Sequence, residues 1–258
     1  MCLRMSHHPH YGRSMKAPAK LTLNLRVTGV RADGFHLISA EMVSLDLADE
    51  ITIEECSGPS SLTIDGPFSD GLTTDANNLV LRALTLAQRN AHVRLTKNIP
   101  HGGGLGGGST DAAAVLRWAS FTDLHAASQL GADIPFCMHG GRARVEGIGE
   151  VLTPLPFEPL DITLVIPPFG VSTPKVYATW DALDGPRANE GPHGVNDLEP
   201  AALVAEPRLV RWRDKISDVA GSTPTLAGSG STWFLRGAFP WLAEALPEAT
   251  VICTRTAN

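Results

Sequence analysis

No stretch of roughly 18 apolar residues occurs in the 258-residue chain, so no helix of bilayer-spanning length is expected. The four cysteines, Cys2, Cys56, Cys137 and Cys253, are scattered and none stands in a C-x-x-C pair. That spacing fits neither a disulfide framework nor a zinc site, and suits reduced thiols in a cytoplasmic protein. Positive charge is not in excess either: 21 Lys and Arg face 27 Asp and Glu, a formal net charge of −6. A nucleic-acid partner needs a basic face, so none is expected. Charged residues at 19% against 43% hydrophobic exclude a disordered chain. The stretch 1–14 lacks the apolar core of a secretion signal, and His7, His8 and His10 read as part of a loose tail ahead of Met15 rather than as metal ligands. No internal repeat or heptad pattern is present.

What is there begins with alternation. Leu21, Leu23, Leu25 and Val27 share one face, with Thr22, Asn24 and Arg26 on the other, which predicts a strand with one buried side. A turn over 29–34 precedes short strands at 42–47, 51–54 and 62–64. The period then changes: Leu79, Leu81, Ala83, Leu84 and Ala87 predict a helix capped by Asn77 or Asn78. A further strand follows at 93–96, and a new buried strand at 162–166. The stretch 153–159, rich in proline, reads as a connector. Two domains are expected, residues 1–153 and 154–258, each mixing strands and helices. Residues 196–200 read as a helix start with Asn196 or Asp197 as cap, and 204–219 has mixed helical character.

Between the strand at 93–96 and the helical stretch 112–119 lies the densest feature of the chain. Pro100 and His101 lead into Gly102, Gly103, Gly104, Leu105, Gly106, Gly107 and Gly108, then Ser109 and Thr110. Glycine lets the backbone take positive φ and approach a ligand closely. Successive N–H groups and a helix N-terminus then form a seat for phosphate, and the two hydroxyls could reach a phosphate oxygen or a bound Mg²⁺. A flexible linker would not carry Leu105 at its centre or sit inside a strand-to-helix transition. The Walker pattern fails for want of a lysine after the last glycine. A dinucleotide pattern matches formally at Gly102, Gly104 and Gly107, but the preceding strand carries Arg94, Lys97 and Asn98 and is not the buried strand of that fold.

Taken with residues 17–21 and with the second glycine turn at 226–231, this segment resembles the three motifs of the GHMP small-molecule kinases in order and spacing. Two further stretches, Asp33-Gly34-Phe35-His36 and Gly131-Ala132-Asp133, resemble the branch of that family whose substrate is a cytidine-diphosphate sugar alcohol. The likeness runs from about Ala17 to Leu235. It implies an α+β fold of two domains, a ribosomal S5 domain 2-like N-terminal part and a ferredoxin-like C-terminal part, with ATP and substrate in the cleft between them.

The resemblance also implies roles. Asp133 matches the catalytic base and Lys20 the lysine beside it, whereas on residues alone Asp133 reads as well as a turn or cap and Lys20 as a strand-edge lysine. Pro100, residues 102–108, Ser109 and Thr110 match the ATP loop, with Ser109 as the protein's donor to Mg²⁺. Phe35, His36 and Tyr177 match the residues that hold the cytosine, and Thr22, Gly228 and Ser229 complete the substrate side. Phe35 stands where the family pattern has tyrosine, and Thr22 where it has asparagine. The implied activity is ATP-dependent phosphorylation of the sugar alcohol's 2-hydroxyl on the non-mevalonate isoprenoid route, by a monomer or weak homodimer. Alternatives are another family member acting on homoserine, mevalonate or a sugar, and a catalytically silent nucleotide-binding relative.

Overall fold

The computed structural model describes residues 12–185 and 196–258. The tail residues Cys2, His7, His8 and His10 lie outside this range. Two long antiparallel strands, β1 (Arg13–Val30) and β2 (His36–Glu55), form its spine. β1 begins earlier than the expected tail allows, with Arg13 opposite Ile53 and Ser14 opposite Thr52. β2 is one strand of 20 residues and not the two short strands expected at 42–47 and 51–54. The polar interruption Asp46 to Glu50 stays extended because Lys16, Ala17 and Pro18 of β1 pair with Glu50, Asp49 and Ala48 across it.

The chain continues through β3 (Ser61–Asp65), α1 (Leu79–Leu86) and β4 (Ala91–Thr96). Asn78 caps α1, its side chain accepting from the Val80 N–H at 2.9 Å. Then come α2 (Gly107–Trp118), α3 (Leu124–Leu130), α4 (Ile134–His139), β5 (Arg142–Gly147) and β6 (Val151–Pro154). The second half holds β7 (Asp161–Ile166), α5 (Thr173–Ala182), α6 (Glu199–Ala205), α7 (Arg208–Ala220), β8 (Thr225–Leu226), β9 (Trp233–Arg236), α8 (Leu242–Ala245) and β10 (Thr250–Ala257). The mixed helical stretch 204–219 resolves into α6 and α7, parted at Pro207, where a ring without an N–H favours a fresh first turn.

Hydrogen bonding runs through the whole molecule in the order β3-β4-β2-β10-β7-β9-β8, with β1 and β5 also on β2 and β6 on β5. The C-terminal strand β10 joins the halves: it pairs with β7 over six residues and sets Thr256 and Ala257 against Leu45 and Ser44 of β2. α2 is buried along its length, from Thr110 to Leu116. Its small residues Ala112, Ala113 and Ala114 pack in one apolar core with Ile51, Ile53, Leu84, Val93 and Leu95.

Candidate active site

The one-wet-face expectation for β1 fails in an informative place. Lys20 and Thr22, on the polar face, are only 6% and 2% exposed. Glycine turns from two distant parts of the chain cover them. The Lys20 N–H donates to the Leu105 carbonyl at 3.0 Å. A Cβ on Gly106 would lie 2.6 Å from the Lys20 Cγ, and Gly228 lies over Thr22. The turns also pack on each other: a Cβ on Gly230 would sit 2.3 Å from the Gly103 carbonyl oxygen, and the Thr232 N–H donates to that oxygen at 3.2 Å. Gly102, Gly104 and Gly106 take φ of +76°, +85° and +69°, the left-handed region open to glycine. The loop then enters α2 directly, since the helix starts at Gly107 and not at the expected 112.

The hydroxyls after the loop part company. Ser109 is half-buried at the head of α2. Thr110 is fully buried and its Oγ1 donates to the Pro18 carbonyl at 2.7 Å. Its hydroxyl thereby ties α2 to β1. Pro100 is buried beneath the loop.

Asp133 stands at the cap position of α4, yet its side chain makes no cap hydrogen bond. Its Oδ2 instead lies 3.2 Å from the Lys20 Nζ, which is also 3.4 Å from the Thr22 Oγ1. The Asp133 carboxylate is about one-third exposed and Lys20 nearly enclosed, so the pair opens to solvent on the acid's side. Its charge is felt on both flanks. Burial first, then Asp133, raises the Tyr177 phenol above its ordinary value. The same two causes push the Cys137 thiol up to about 12.

Beyond Asp133, one face of α5 meets the β1–β2 turn. The His36 Nε2–H donates to the Asp181 Oδ1 at 2.8 Å; its ring lies 4.6 Å from Tyr177 and edge-on to Trp180 at 5.5 Å. Tyr177, Trp180 and Asp181 fall at helical spacing, so one helix face grips the imidazole. Phe35, next door, is 56% exposed. Trp180 and Asp181 were not foreseen; the i, i+3, i+4 spacing from Tyr177 was their signal. The Ser229 and Thr173 hydroxyls hydrogen-bond at 2.8 Å on the rim.

Asn196 closes the start of α6 as expected, its Oδ1 accepting from the Leu198 N–H at 3.0 Å and its carbonyl from the Glu199 N–H at 3.0 Å, and both it and Asp197 do more than cap. The Asn196 amide donates to the Leu226 and Gly228 carbonyls at 3.0 and 2.7 Å. Asp197 accepts from the Arg26 guanidinium at 2.7 Å and the Val27 N–H at 3.1 Å. They staple the second glycine turn to β1, because an amide and a carboxylate satisfy backbone groups that a tight turn leaves unpaired.

Residues 78–141 match the family described as GHMP kinases N terminal domain. A protein of Paracoccus denitrificans (strain Pd 1222) named 4-diphosphocytidyl-2-C-methyl-D-erythritol kinase is 41% identical over 90% of this chain and 89% of its own length. This chain belongs to the GHMP kinase family. A crystal structure of 4-(cytidine 5'-diphospho)-2C-methyl-D-erythritol kinase is 32% identical, with a TM-score of 0.76 over 95% of this chain and all of the other. A homoserine kinase structure from Cytophaga hutchinsonii, 14% identical with a TM-score of 0.58 over 99% of this chain and 97% of that one, shares the fold alone. The α+β GHMP kinase fold is thus common to all three. Among the described residues no helix is long and apolar enough to cross a membrane.

Proposed function

We propose that this GHMP kinase transfers the γ-phosphoryl group of ATP to the 2-hydroxyl of 4-diphosphocytidyl-2-C-methyl-D-erythritol, with Asp133 as general base. The observation that carries the assignment of the base is the 3.2 Å pairing of Asp133 with Lys20 at the foot of the glycine loop. Phosphoryl transfer asks mainly for positioning and charge stabilisation. The loop 102–108 and the N-terminus of α2 offer backbone N–H groups to phosphate. Asp133, exposed on its outer side, takes the hydroxyl proton; the Lys20 ammonium beside it stabilises charge developing on the transferring group.

Among the described residues no group of three or more His, Cys, Asp or Glu side chains could hold a metal ion. Mg²⁺ is commonly held largely by substrate phosphates and water. The donor set fits that mode, with Ser109 as the protein's hydroxyl at the loop, and the ion supplies charge neutralisation there.

Phe35, His36 and Tyr177 form the substrate side. The exposed Phe35 ring offers a face for a nucleobase, and α5 fixes the turn that carries it. Thr22 and Gly228, which lie against each other, and Ser229 complete this side. The division at 153/154 follows the same reading, with the two parts supplying the walls of the cleft.

The test is ADP release from Mg²⁺-ATP with and without 4-diphosphocytidyl-2-C-methyl-D-erythritol. Substrate-dependent release is expected. Release that ignores this substrate but responds to homoserine or mevalonate would overturn the reading.

A further inference from the structure

Beneath the glycine loop lies a charged cluster that the reaction does not use directly. Lys97, 2% exposed, directs its ammonium at two carboxylates, Asp49 Oδ2 and Asp111 Oδ2, the latter at 2.7 Å. The other oxygen of Asp49 accepts from the backbone N–H groups of Asn98 and Ile99 at 2.6 and 2.8 Å. Both aspartates are also buried, at 0% and 2% exposure. Asp111 Oδ1 has no hydrogen-bond partner among the described residues, so the pairing of this side chain runs through Lys97.

The positions of these residues in the chain give the cluster its meaning. Lys97 ends the approach to the loop, and Asp111 lies in the first turns of α2, where the loop delivers the chain. The Lys97–Asp111 pair therefore closes the neck of the segment 98–110. Asp49 anchors that closure to the middle of β2, the spine of the sheet. Gly107 is part of the same fit, since a Cβ there would lie 3.1 Å from the Lys97 Nζ. A loop of mostly glycine has high conformational freedom and little side-chain packing to hold its shape. A fixed neck limits how far its two ends can move apart.

We infer that Lys97, with Asp49 and Asp111, is a positioning group that holds the glycine loop in its nucleotide-receiving shape. Buried ion pairs contribute little net stability compared with an apolar replacement, since desolvation offsets attraction. Geometry is what such a cluster can supply here. This role rests on the reading of the loop as the ATP seat.

The experiment measures ATP affinity by calorimetry, with the KM for each substrate and the thermal midpoint, in wild type, Asp111→Ala and Asp111→Asn. Either substitution leaves Lys97 paired one-to-one with Asp49, so folding is expected. Asp111→Ala should weaken ATP binding at least tenfold with the KM of the phosphate acceptor within twofold. Asp111→Asn, which keeps an acceptor for Lys97, should recover most of that loss. Asp111→Leu fills the volume and replaces the alanine variant should the latter not fold. ATP binding as in wild type in Asp111→Ala or Asp111→Leu would overturn the inference, and so would equal losses for both substrates. Failure of the wild-type protein to bind ATP is a different result: it would remove the nucleotide reading of the loop itself.

Discussion

Lys20 Nζ and Asp133 Oδ2 lie 3.2 Å apart, although 113 positions separate them in the chain (133 − 20). One is fixed by the stretch 19–23 of β1, which is buried on both faces; the other occupies a helix cap position without capping. An aspartate that forgoes an N–H partner worth about 1 kcal/mol to face a lysine has a local structural use forgone. That arrangement separates Asp133 from an ordinary turn residue and gives the first prediction its form.

Asp133→Asn should lower kcat by about 10²–10⁴-fold, the range for loss of a general base. The affinity for ATP should change little, because the base takes a proton and holds no phosphate. Isothermal titration with ATP, alongside single-turnover rates, checks both halves. An equal loss of ATP affinity would remove Asp133 from the role of base.

Gly230 lies with its α-carbon in the space where the Gly103 backbone passes, 2.3 Å from a hypothetical Cβ. Its φ is not in the left-handed region, so the cost of a side chain there is steric and not conformational. Gly230→Ala must push two backbones apart, since no flexible side chain can yield. A destabilisation of about 1–3 kcal/mol is expected, typical of overpacking, with a rise in the KM for ATP as the first loop shifts. Chemical denaturation and steady-state kinetics would show it; wild-type values in both would mean the turns separate freely.

Removing the imidazole of His36 frees the turn at residues 31–35 from α5. His36→Ala should therefore raise the KM for the cytidine-diphosphate substrate about tenfold or more, one tight polar contact and its packing being worth about 1.4 kcal/mol or above. The KM for ATP should stay within about twofold. Asp181→Leu, which removes the acceptor for Nε2–H, should move the same constant in the same direction by less. If ATP were the substrate affected more, His36 and its helix would not belong to the acceptor side.

The strands, the helix at 79–86 and the glycine loop were legible because each carries a local pattern: alternation, an asparagine cap, a run of one residue type between a strand and a helix. The start of α2 was not, since Gly107 and Gly108 have poor helix propensity and enter the helix through the burial of Thr110 and the residues after it. Lys20 and Asp133 were named by resemblance to a family, and only the fold sets them side by side. Lys97 reads in the sequence as a sign that the segment before the loop is not buried, yet it is 2% exposed. A lysine in a strand-to-loop segment reads as surface, and its partners at positions 49 and 111 are joined to it by tertiary structure alone. Asn196 caps the start of α6 as its type suggests, while Asp197 turns to Arg26 and Val27: the residue types that cap helices also satisfy other unpaired groups.

The Lys97 cluster sets a pH dependence whose sign follows from charge. Two carboxylates share one ammonium in the interior, so burial first, opposed in part by Lys97 and reinforced by Asp49, raises the Asp111 carboxyl to about 7. A group that binds its proton more tightly in the folded state favours folding most when protonated. Its contribution is thus fully present below the ordinary carboxyl value of 3.8 and is lost as pH rises toward about 7. Between those limits this residue makes stability fall with rising pH, the reverse of a salt-bridged surface aspartate. Asp111→Asn cannot titrate and should remove that slope. Thermal midpoints of both proteins from pH 5 to about pH 8 compare them directly. A tenfold difference in proton affinity between folded and unfolded chains is worth about 1.4 kcal/mol, enough to move a midpoint measurably. The wild-type midpoint should drop relative to the variant as pH rises, and parallel curves would mean that Asp111 is already ionised throughout, with Lys97 shared evenly between two charged partners.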